Sequence, residues 1–222
     1  RPMGRNVEPE TTNRPVGGGV RVRTGLPGHF NVANALAALA ATTALGVEPE
    51  TAAAGLARAG RVPGRFEPID EGQGFAVLVD YAHTPDSLEN VLQAARRLTE
   101  GRLIAVFGAG GDRDRDKRPK MGRAGAELSD LAIVTSDNPR SEDPAAIVAE
   151  VVSGSGDGAP VEVEVDRRAA IALALERARP GDTVVIAGKG HEQGQEFEGG
   201  RKVPFDDREV AREELRKLGS PA

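Results

Sequence analysis

Residues 103–113 read Leu-Ile-Ala-Val-Phe-Gly-Ala-Gly-Gly-Asp-Arg, and this stretch decides the class of fold. Five consecutive apolar residues are typical of a short strand buried on both faces, and the glycines that follow predict a tight loop at its carboxyl end. Strands buried on both faces occur in parallel sheets that are covered by helices. The stretch therefore predicts an α/β protein.

Further apolar runs flank this stretch and alternate with segments of helical pattern. The predicted strands are Ala76–Val79, Leu103–Phe107, Leu131–Thr135, Val161–Val165 and Thr183–Ala187. The predicted helices are Pro85–Leu98, Lys120–Leu128, Pro144–Val152, Arg167–Ala178 and Asp207–Leu218. Thr84 before Pro85 and Asp143 before Pro144 are typical helix N-caps. The alternation predicts a Rossmann-like, open and mostly parallel sheet flanked by helices.

The segment before this sheet has a different pattern. Two helices are predicted, Asn31–Leu45 with its stop signal at Gly46, and Pro49–Ala59. The alternation in Val20–Arg23, after the glycines at 17–19, predicts a strand at a sheet edge whose partners are missing. Glycines and a proline in Gly60–Arg65 indicate a domain boundary. We therefore divide the chain into residues 1–62, interpreted as the remnant of a larger domain, and residues 63–222.

Composition excludes several classes of protein. Apolar residues make up 39% and charged residues 28% of the 222 residues, as in ordinary globular proteins. No apolar run approaches the roughly 18 residues of a membrane span, and Arg1–Arg5 lacks the apolar core of a signal peptide, so the cytoplasm is expected. The net charge of -5 gives no general attraction for nucleic acid. The absence of cysteine excludes disulfides and thiolate chemistry.

Polar residues and glycines follow four of the predicted strands, where ligands bind in open parallel sheets. These segments are Asp80–Pro85, Gly108–Arg113, Ser136–Arg140 and Gly188–Glu192. The glycines at 108, 110 and 111 could bring backbone amides to a phosphate or carboxylate, or could only form a tight turn. Their spacing is not that of a dinucleotide-binding loop, so a dinucleotide-dependent oxidoreductase is disfavoured.

Charged residues in these segments suggest an amino-acid ligand. Arg113 and Arg140 could each bind a carboxylate through two hydrogen bonds, although a single arginine is more often a surface residue. Glu192 could pair with a substrate ammonium, or be an exposed loop acid. The basic residues from Arg113 to Arg118 alternate with aspartates and, on charge alone, predict a solvated loop.

The histidines allow two interpretations. His83 follows a strand end beside Asp80 and could hydrogen-bond a ligand, and His191 lies in a glycine-rich loop beside Glu192. A lone histidine is more often a structural hydrogen-bonding group. We expect no metal ligand in this chain.

Taken in order along the chain, these segments resemble the Mur ligase family of ATP-dependent amide-forming enzymes. The resemblance rests on Gly28–Ala35, Gly64–Glu67, Asp80–Pro85, Gly110–Asp114, Lys117–Pro119, Asp137–Arg140 and Gly188–Glu192. It implies that residues 1–62 are the end of a central ATP-binding domain and that residues 63–222 are a carboxyl-terminal, Rossmann-like domain that binds the amino acid.

The resemblance also implies site residues and a substrate. Asn34, Arg65, Asp80 and His83 fall on or beside nucleotide positions, and Arg113, Asn138, Arg140, Gly188 and Glu192 fall on diaminopimelate positions. The Asp137-Asn138-Pro139-Arg140 motif implies an enzyme that adds meso-diaminopimelate to UDP-N-acetylmuramoyl-L-alanyl-D-glutamate, for peptidoglycan synthesis. A monomer that binds neither nucleic acid nor membrane is expected.

The family mechanism uses ATP and magnesium to form an acyl phosphate, which the amino acid's amine then attacks. The phosphate-binding motif G-x-x-x-x-G-K-[ST] does not occur in these 222 residues. We therefore expect no catalytic residue here and no turnover by this chain alone. Two alternatives remain open, namely a ligase that adds L-lysine, and a free-standing module that binds a nucleotide or an amino acid without catalysis.

Overall fold

The computed structural model describes residues 19–26 and 28–219, which fall into two compact units. Of the described residues, the first unit comprises 19–26 and 30–60, and the second comprises 28–29 and 61–219. The division of the chain at Gly60 and Arg61 falls within the glycine- and proline-containing segment of the sequence.

The first unit contains helices α1 (His29–Ala44) and α2 (Pro49–Arg58), close to the predicted ranges. Gly46 has a φ of 88°, which glycine adopts without the steric cost of a Cβ, so it ends α1 as predicted. Residues 20–23 pair with no strand in the described part of the chain, so the edge strand with missing partners stays a prediction. Their valines are nevertheless less exposed than their arginines, while the glycines at 17 and 18 lie outside the described residues.

The second unit is built on a six-stranded sheet with the spatial order β1-β2-β6-β3-β4-β5. The strands are β1 (Glu67–Ile69), β2 (Ala76–Asp80), β3 (Leu103–Phe107), β4 (Leu131–Val134), β5 (Val161–Val163) and β6 (Thr183–Ala187). The edge strand β1 is antiparallel to β2, and all other neighbours are parallel. The predicted open, mostly parallel sheet is confirmed.

Helices cover both faces of the sheet, which explains why β3 and β4 are apolar at every position. The helices are α3 (Pro85–Arg96), α4 (Lys117–Leu128), α5 (Pro144–Val152), α6 (Arg167–Arg177) and α7 (Asp207–Gly219). Ile104 and Val106 of β3 pack with α6 and α7 in one apolar cluster. Phe107 alternates to the other face and lies against Gly125 of α4, where a Cβ would approach its ring to 2.2 Å.

The predicted N-caps of α3 and α5 are confirmed. Thr84 accepts a hydrogen bond from the Ser87 amide, and Asp143 accepts one from the Ala145 amide. Because these caps fix where α3 and α5 begin, they also fix where the preceding loops leave the sheet edge.

The main differences from the sequence-based expectation concern the start of one helix, one edge strand and one hairpin. Helix α4 begins three residues earlier than predicted, at Lys117. Strand β1 was not predicted, because three residues that include Pro68 carry too little pattern. The hairpin of β7 (Gly194–Glu196) and β8 (Lys202–Pro204), joined by a turn of 3-10 helix at Glu198–Gly200, was also missed, since its strands are short and mostly polar.

None of the helices in the described part of the chain combines the length and apolar content that crossing a bilayer requires.

Candidate functional site

Four loops meet at the carboxyl edge of the sheet, because β6 lies between β2 and β3 and β4 lies next to β3. The loops are 81–84 after β2, 108–113 after β3, 135–140 after β4 and 188–192 after β6. The amide of Gly188 donates to the carbonyl of Asp80 at 3.1 Å, and that of Gly111 donates to the carbonyl of Asn138 at 2.9 Å. The loops are therefore held to one another by backbone hydrogen bonds.

The glycines after β3 permit this close approach. A Cβ at Gly108 would lie 2.2 Å from the carbonyl oxygen of Thr135, and one at Gly111 would lie 1.9 Å from that of Pro139. Both distances are impossible for a real side chain, so close packing against the loop after β4 explains glycine at 108 and 111.

Arg113 and Arg140 flank Gly110. A Cβ at Gly110 would lie 3.0 Å from Arg140 Nη1 and 3.8 Å from Arg113 Cγ. Arg140 Nε donates to Glu196 at 3.2 Å, and its Nη1 donates to the carbonyl of Gly111 at 2.7 Å. Its Nη2, and the whole exposed guanidinium of Arg113, have no hydrogen bond to any residue in the described ranges. Two guanidinium groups are thus available for an anion.

Arg140 is held in an unusual backbone conformation. Its φ is 52°, in the left-handed region that is uncommon for residues other than glycine. The amide of Arg140 donates to the carbonyl of Glu196 at 3.0 Å, and Arg140 forms a bridge with Phe197. Hairpin β7–β8 therefore fixes the arginine, whose side chain borders a groove of about 720 Å³.

A buried polar cluster lies beside these arginines. The side-chain amide of Asn138 donates to Glu192 Oε2 at 3.0 Å and accepts a hydrogen bond from Lys189 Nζ at 2.8 Å. The same ammonium lies 3.2 Å from Glu192 Oε2 and 3.5 Å from Asp137 Oδ1. Gly188, with a φ of 126°, allows this arrangement, since a Cβ there would lie 2.6 Å from Asp137 Oδ2. The predicted residues Asn138, Gly188 and Glu192 are thus neighbours.

Glu192 remains a carboxylate in this cluster. Burial alone would raise the pKa of Glu192, but the hydrogen bond from Asn138 and the charge and hydrogen bond of Lys189 hold that pKa below its ordinary value. Its side chain is 34% exposed, so the carboxylate is still accessible to a cation.

A second group of predicted residues surrounds Tyr81, the one tyrosine of the chain. The guanidinium of Arg65 lies 4.6 Å from the centre of the Tyr81 ring, a cation–π distance. The rings of His83 and His191 lie 4.8 and 5.4 Å from the same ring. This aromatic surface adjoins the polar cluster through the loop at 188–192.

Asp80 holds the backbone beneath Tyr81. One carboxylate oxygen accepts the amide of Phe66 at 2.7 Å and the other accepts the amide of Ala82 at 2.8 Å. Burial raises the pKa of Asp80, and these hydrogen bonds only partly oppose that effect.

The remaining predicted nucleotide residue, Asn34, lies on α1 in the first unit, where its side-chain amide donates to Asn31 Oδ1 at 3.2 Å.

Two buried arginines were not predicted. Arg167 donates to Asp207 at 2.7 and 2.8 Å, and both side chains are fully buried. Arg167 also donates to the carbonyls of Ser136 and Ala187, at the ends of β4 and β6. The sequence offered one signal for this buried arginine. Arg167 is the first residue of a predicted helix, where the helix dipole disfavours a cation.

The second buried arginine, Arg118, corrects the expectation of a solvated loop from Arg113 to Arg118. Residues 112–116 are exposed as expected, but the side chain of Arg118 is fully buried. It donates to both oxygens of Glu142 at 2.7 and 2.9 Å and to Glu150 at 2.8 Å. Glu142 also accepts the amide of Asp112 at 2.7 Å, so this network anchors the loop that carries Arg113.

The network predicts a loss of stability in acid. The hydrogen bonds from Arg118 lower the pKa of Glu142 from 4.5 to about 2. Because the folded-state pKa is depressed, Glu142 stabilises the fold above its unfolded pKa, and this contribution is lost as the pH falls from about 4.5 through about 2. In urea unfolding at a series of pH values, Glu142→Gln is expected to flatten this part of the profile. The exposed Glu89→Gln is the control, and identical profiles for both variants would contradict the prediction.

No group of three or more histidines, cysteines, aspartates or glutamates that could hold a metal ion is found within residues 19–26 and 28–219.

The sheet carries two guanidinium groups and a partly exposed carboxylate at its carboxyl edge, which is where open α/β sheets generally bind ligands. The family model described as "Mur ligase, glutamate ligase domain" matches residues 64–190, and the chain belongs to the Mur ligase family.

The most informative relatives share one name, UDP-N-acetylmuramoyl-L-alanyl-D-glutamate--2,6-diaminopimelate ligase. The protein from Streptomyces coelicolor is 53% identical over 91% of this chain and 41% of its own length. The protein from Gloeobacter violaceus is 58% identical over 88% of this chain and 40% of its own length. A solved structure of the same name has a TM-score of 0.70 at 42% identity, over 90% of this chain and 41% of that chain. The chain thus spans about 40% of the length of these relatives.

Proposed function

We propose that this chain is the amino-acid-selecting part of a ligase that adds meso-diaminopimelate to UDP-N-acetylmuramoyl-L-alanyl-D-glutamate. The names of the relatives, at 53% and 58% identity, support this substrate pair. In this proposal residues 63–222 bind the amino acid, and residues 1–62 complete a central ATP-binding domain. The exposure of Leu36 (55%) and Leu45 (85%) in the first unit agrees with a surface that further protein covers.

The observation that carries the proposal is the presence, at one edge of the sheet, of two guanidinium groups with unused donors and of a partly exposed carboxylate. Diaminopimelate has a carboxylate and an ammonium at each end. Arg113 and Arg140 flank Gly110 and could bind carboxylate oxygens, and Glu192 could bind the ammonium that does not react. Lysine lacks the second carboxylate, so it would leave one arginine without a partner.

The chemistry in this proposal is an acyl transfer. ATP transfers its γ-phosphoryl group to the D-glutamyl carboxylate, and the neutral amine of diaminopimelate attacks the acyl phosphate. A C–N bond forms, the C–O bond to phosphate breaks, and the amine loses a proton. This chain would position the amine, because Asn138, Arg140 and Glu192 hold the remainder of the amino acid at a fixed edge of the sheet.

For the nucleotide we propose contacts from Arg65 and His83 of the second unit, with Asp80 supporting the backbone around Tyr81. A contact from Asn34 of the first unit is proposed separately, from the family resemblance. The cation of Arg65 above the Tyr81 ring supports an anion-binding role for this surface. Magnesium would bind mainly through the part of the ligase outside this sequence, and we propose no magnesium ligand here.

The experiment is a ligation assay on the full-length protein, meaning the product of the complete reading frame that contains these 222 residues. We expect ATP-dependent phosphate release with meso-diaminopimelate and the UDP-linked dipeptide, and no turnover by the 222-residue chain alone. Mass spectrometry of the product identifies the added amino acid. Equal turnover with L-lysine would overturn the diaminopimelate assignment and favour the lysine-adding alternative.

Calorimetric titration of the 222-residue chain with meso-diaminopimelate separates a ligase from a free-standing binding module. We expect weak or no binding, since domain closure would complete the site. Tight binding by the chain, together with no ligation by the full-length protein, would favour the module.

A further inference from the structure

Lys189 has a charge that no role proposed above uses. Its side chain is fully buried at the end of β6, although burial of an ammonium group is unfavourable unless the group is well paired. Its partners are Asn138 Oδ1 at 2.8 Å, Glu192 Oε2 at 3.2 Å and Asp137 Oδ1 at 3.5 Å. The three partners belong to two different loops, so this ammonium connects the ends of β4 and β6.

The first consequence of these contacts concerns the Asn138 amide. Its Oδ1 accepts from Lys189 Nζ and from the Glu196 amide, the latter at 3.0 Å. If the amide were rotated by 180°, its NH₂ group would face these two donors. Lys189 and Glu196 therefore direct Asn138 Nδ2 toward Glu192, which it reaches at 3.0 Å.

The second consequence concerns charge. Asp137 and Glu192 carry two negative charges and Lys189 carries one positive charge, so this group of three has a net charge of -1. Beneath it, Arg167 and Asp207 neutralise one another. Lys117 and Arg167 also lie close enough to Asp137 to interact with its charge, and Arg167 interacts with that of Glu192. Glu192 nevertheless stays 34% exposed, so a ligand ammonium can approach its carboxylate.

We infer that Lys189 is a positioning residue. It fixes the Asn138 amide, and together with that amide it holds the Glu192 carboxylate in the orientation that receives the ammonium of the amino-acid substrate. The inference rests on the proposed function, because that function makes an amino acid the ligand of this edge. Lys189 itself does not touch the reacting atoms. Its removal should therefore weaken recognition of the amino acid and leave the other two substrates unaffected.

The test is steady-state kinetics of Lys189→Met in the full-length protein, in the wild-type and Glu192→Gln backgrounds. We expect the KM for meso-diaminopimelate to rise at least tenfold, with the KM for ATP and for the UDP-linked dipeptide changed less than twofold. In the Glu192→Gln background, Lys189→Met should raise the KM for meso-diaminopimelate by less than a further twofold, because the two residues act as one unit. The acid limb of the diaminopimelate KM profile should also move to higher pH in Lys189→Met.

The control is Lys217→Met, which removes an exposed lysine that pairs with Glu214 at 2.8 Å on α7 and should leave all three KM values unchanged. Three results would each overturn the inference. The first is a parallel rise in all three KM values for Lys189→Met, and the second is an unchanged KM for meso-diaminopimelate. The third is a double variant in which the effects of Lys189→Met and Glu192→Gln on that KM multiply in full.

A measurement on the unaltered protein covers the case in which Lys189→Met does not fold. Carbon-13 titration of the Glu192 carboxyl should give a pKa below the ordinary value, and an ordinary or raised pKa would overturn the inference. If the wild type fails to ligate diaminopimelate, the proposed function fails, while this titration still reports on the contacts of Glu192 with Asn138, Lys189 and Tyr81.

Discussion

Replacement of Arg140 by Ala is expected to lower kcat/KM for meso-diaminopimelate by about 10²- to 10³-fold in the full-length protein. Arg140 Nη2 has no hydrogen bond within the described part of the chain, and its Nε and Nη1 are held by Glu196 and the Gly111 carbonyl. The guanidinium therefore offers an oriented edge to a carboxylate. Loss of one partner from a buried charge pair typically costs about 2–5 kcal/mol, and 1.4 kcal/mol corresponds to a tenfold change.

Two further variants separate recognition from folding. Arg140→Lys keeps the charge but not the forked geometry, so it should recover only part of the loss. Arg177→Ala removes an exposed arginine that pairs with Glu162 at the end of α6, and it should have wild-type kinetics. Unchanged kinetics for Arg140→Ala, with a melting temperature close to that of the wild type, would show that Arg140 does not bind the substrate.

Replacement of Asp207 by Ala is expected to destabilise the second unit by about 3–5 kcal/mol, the usual cost of breaking a buried ion pair. Arg167 would remain fully buried with its charge unpaired, since Asp207 accepts from two of its nitrogens. For a unit of this size the melting temperature should fall by roughly 6–20 °C. Calorimetry and urea unfolding would measure the loss.

The neighbouring pair provides a matched control. Arg168 and Glu213 also join α6 to α7, at 2.7 Å, but their side chains are 44% and 50% exposed. Glu213→Ala should therefore cost no more than about 1 kcal/mol. In the double variant Arg167→Met/Asp207→Leu, which removes both charges, most of the lost stability should return. Equal effects of Asp207→Ala and Glu213→Ala would refute the importance of burial.

The predictable parts of the fold are those with strong local patterns. Strand β3 was predicted at its observed ends, because five apolar residues are followed at once by Gly108. Helices α3 and α5 were predicted at their first residues, because Thr84 and Asp143 cap them. Hairpin β7–β8 has no such pattern, and it is held mainly by its contacts with Asn138 and Arg140.

The candidate site likewise has features that the sequence predicts and features that it does not. The positions of Arg113, Asn138, Arg140 and Glu192 at strand ends follow from the order of strands and loops along the chain, and their ligand roles remain proposals. The contacts among them could not be predicted, since Asn138 and Glu192 are 54 residues apart in sequence. Nor does any local signal distinguish the buried Lys189 from the exposed Lys217.

The sequence by itself determined the α/β class, the central strands and the strand ends where a ligand can bind, because periodicity and capping act over a few residues. The tertiary structure alone decided which charges are buried and paired, namely Arg118 with Glu142, Arg167 with Asp207, and Lys189 with Asn138 and Glu192. The physical reason is that burial and pairing depend on which loops the sheet order brings together. That order arises only when β6 takes its place between β2 and β3.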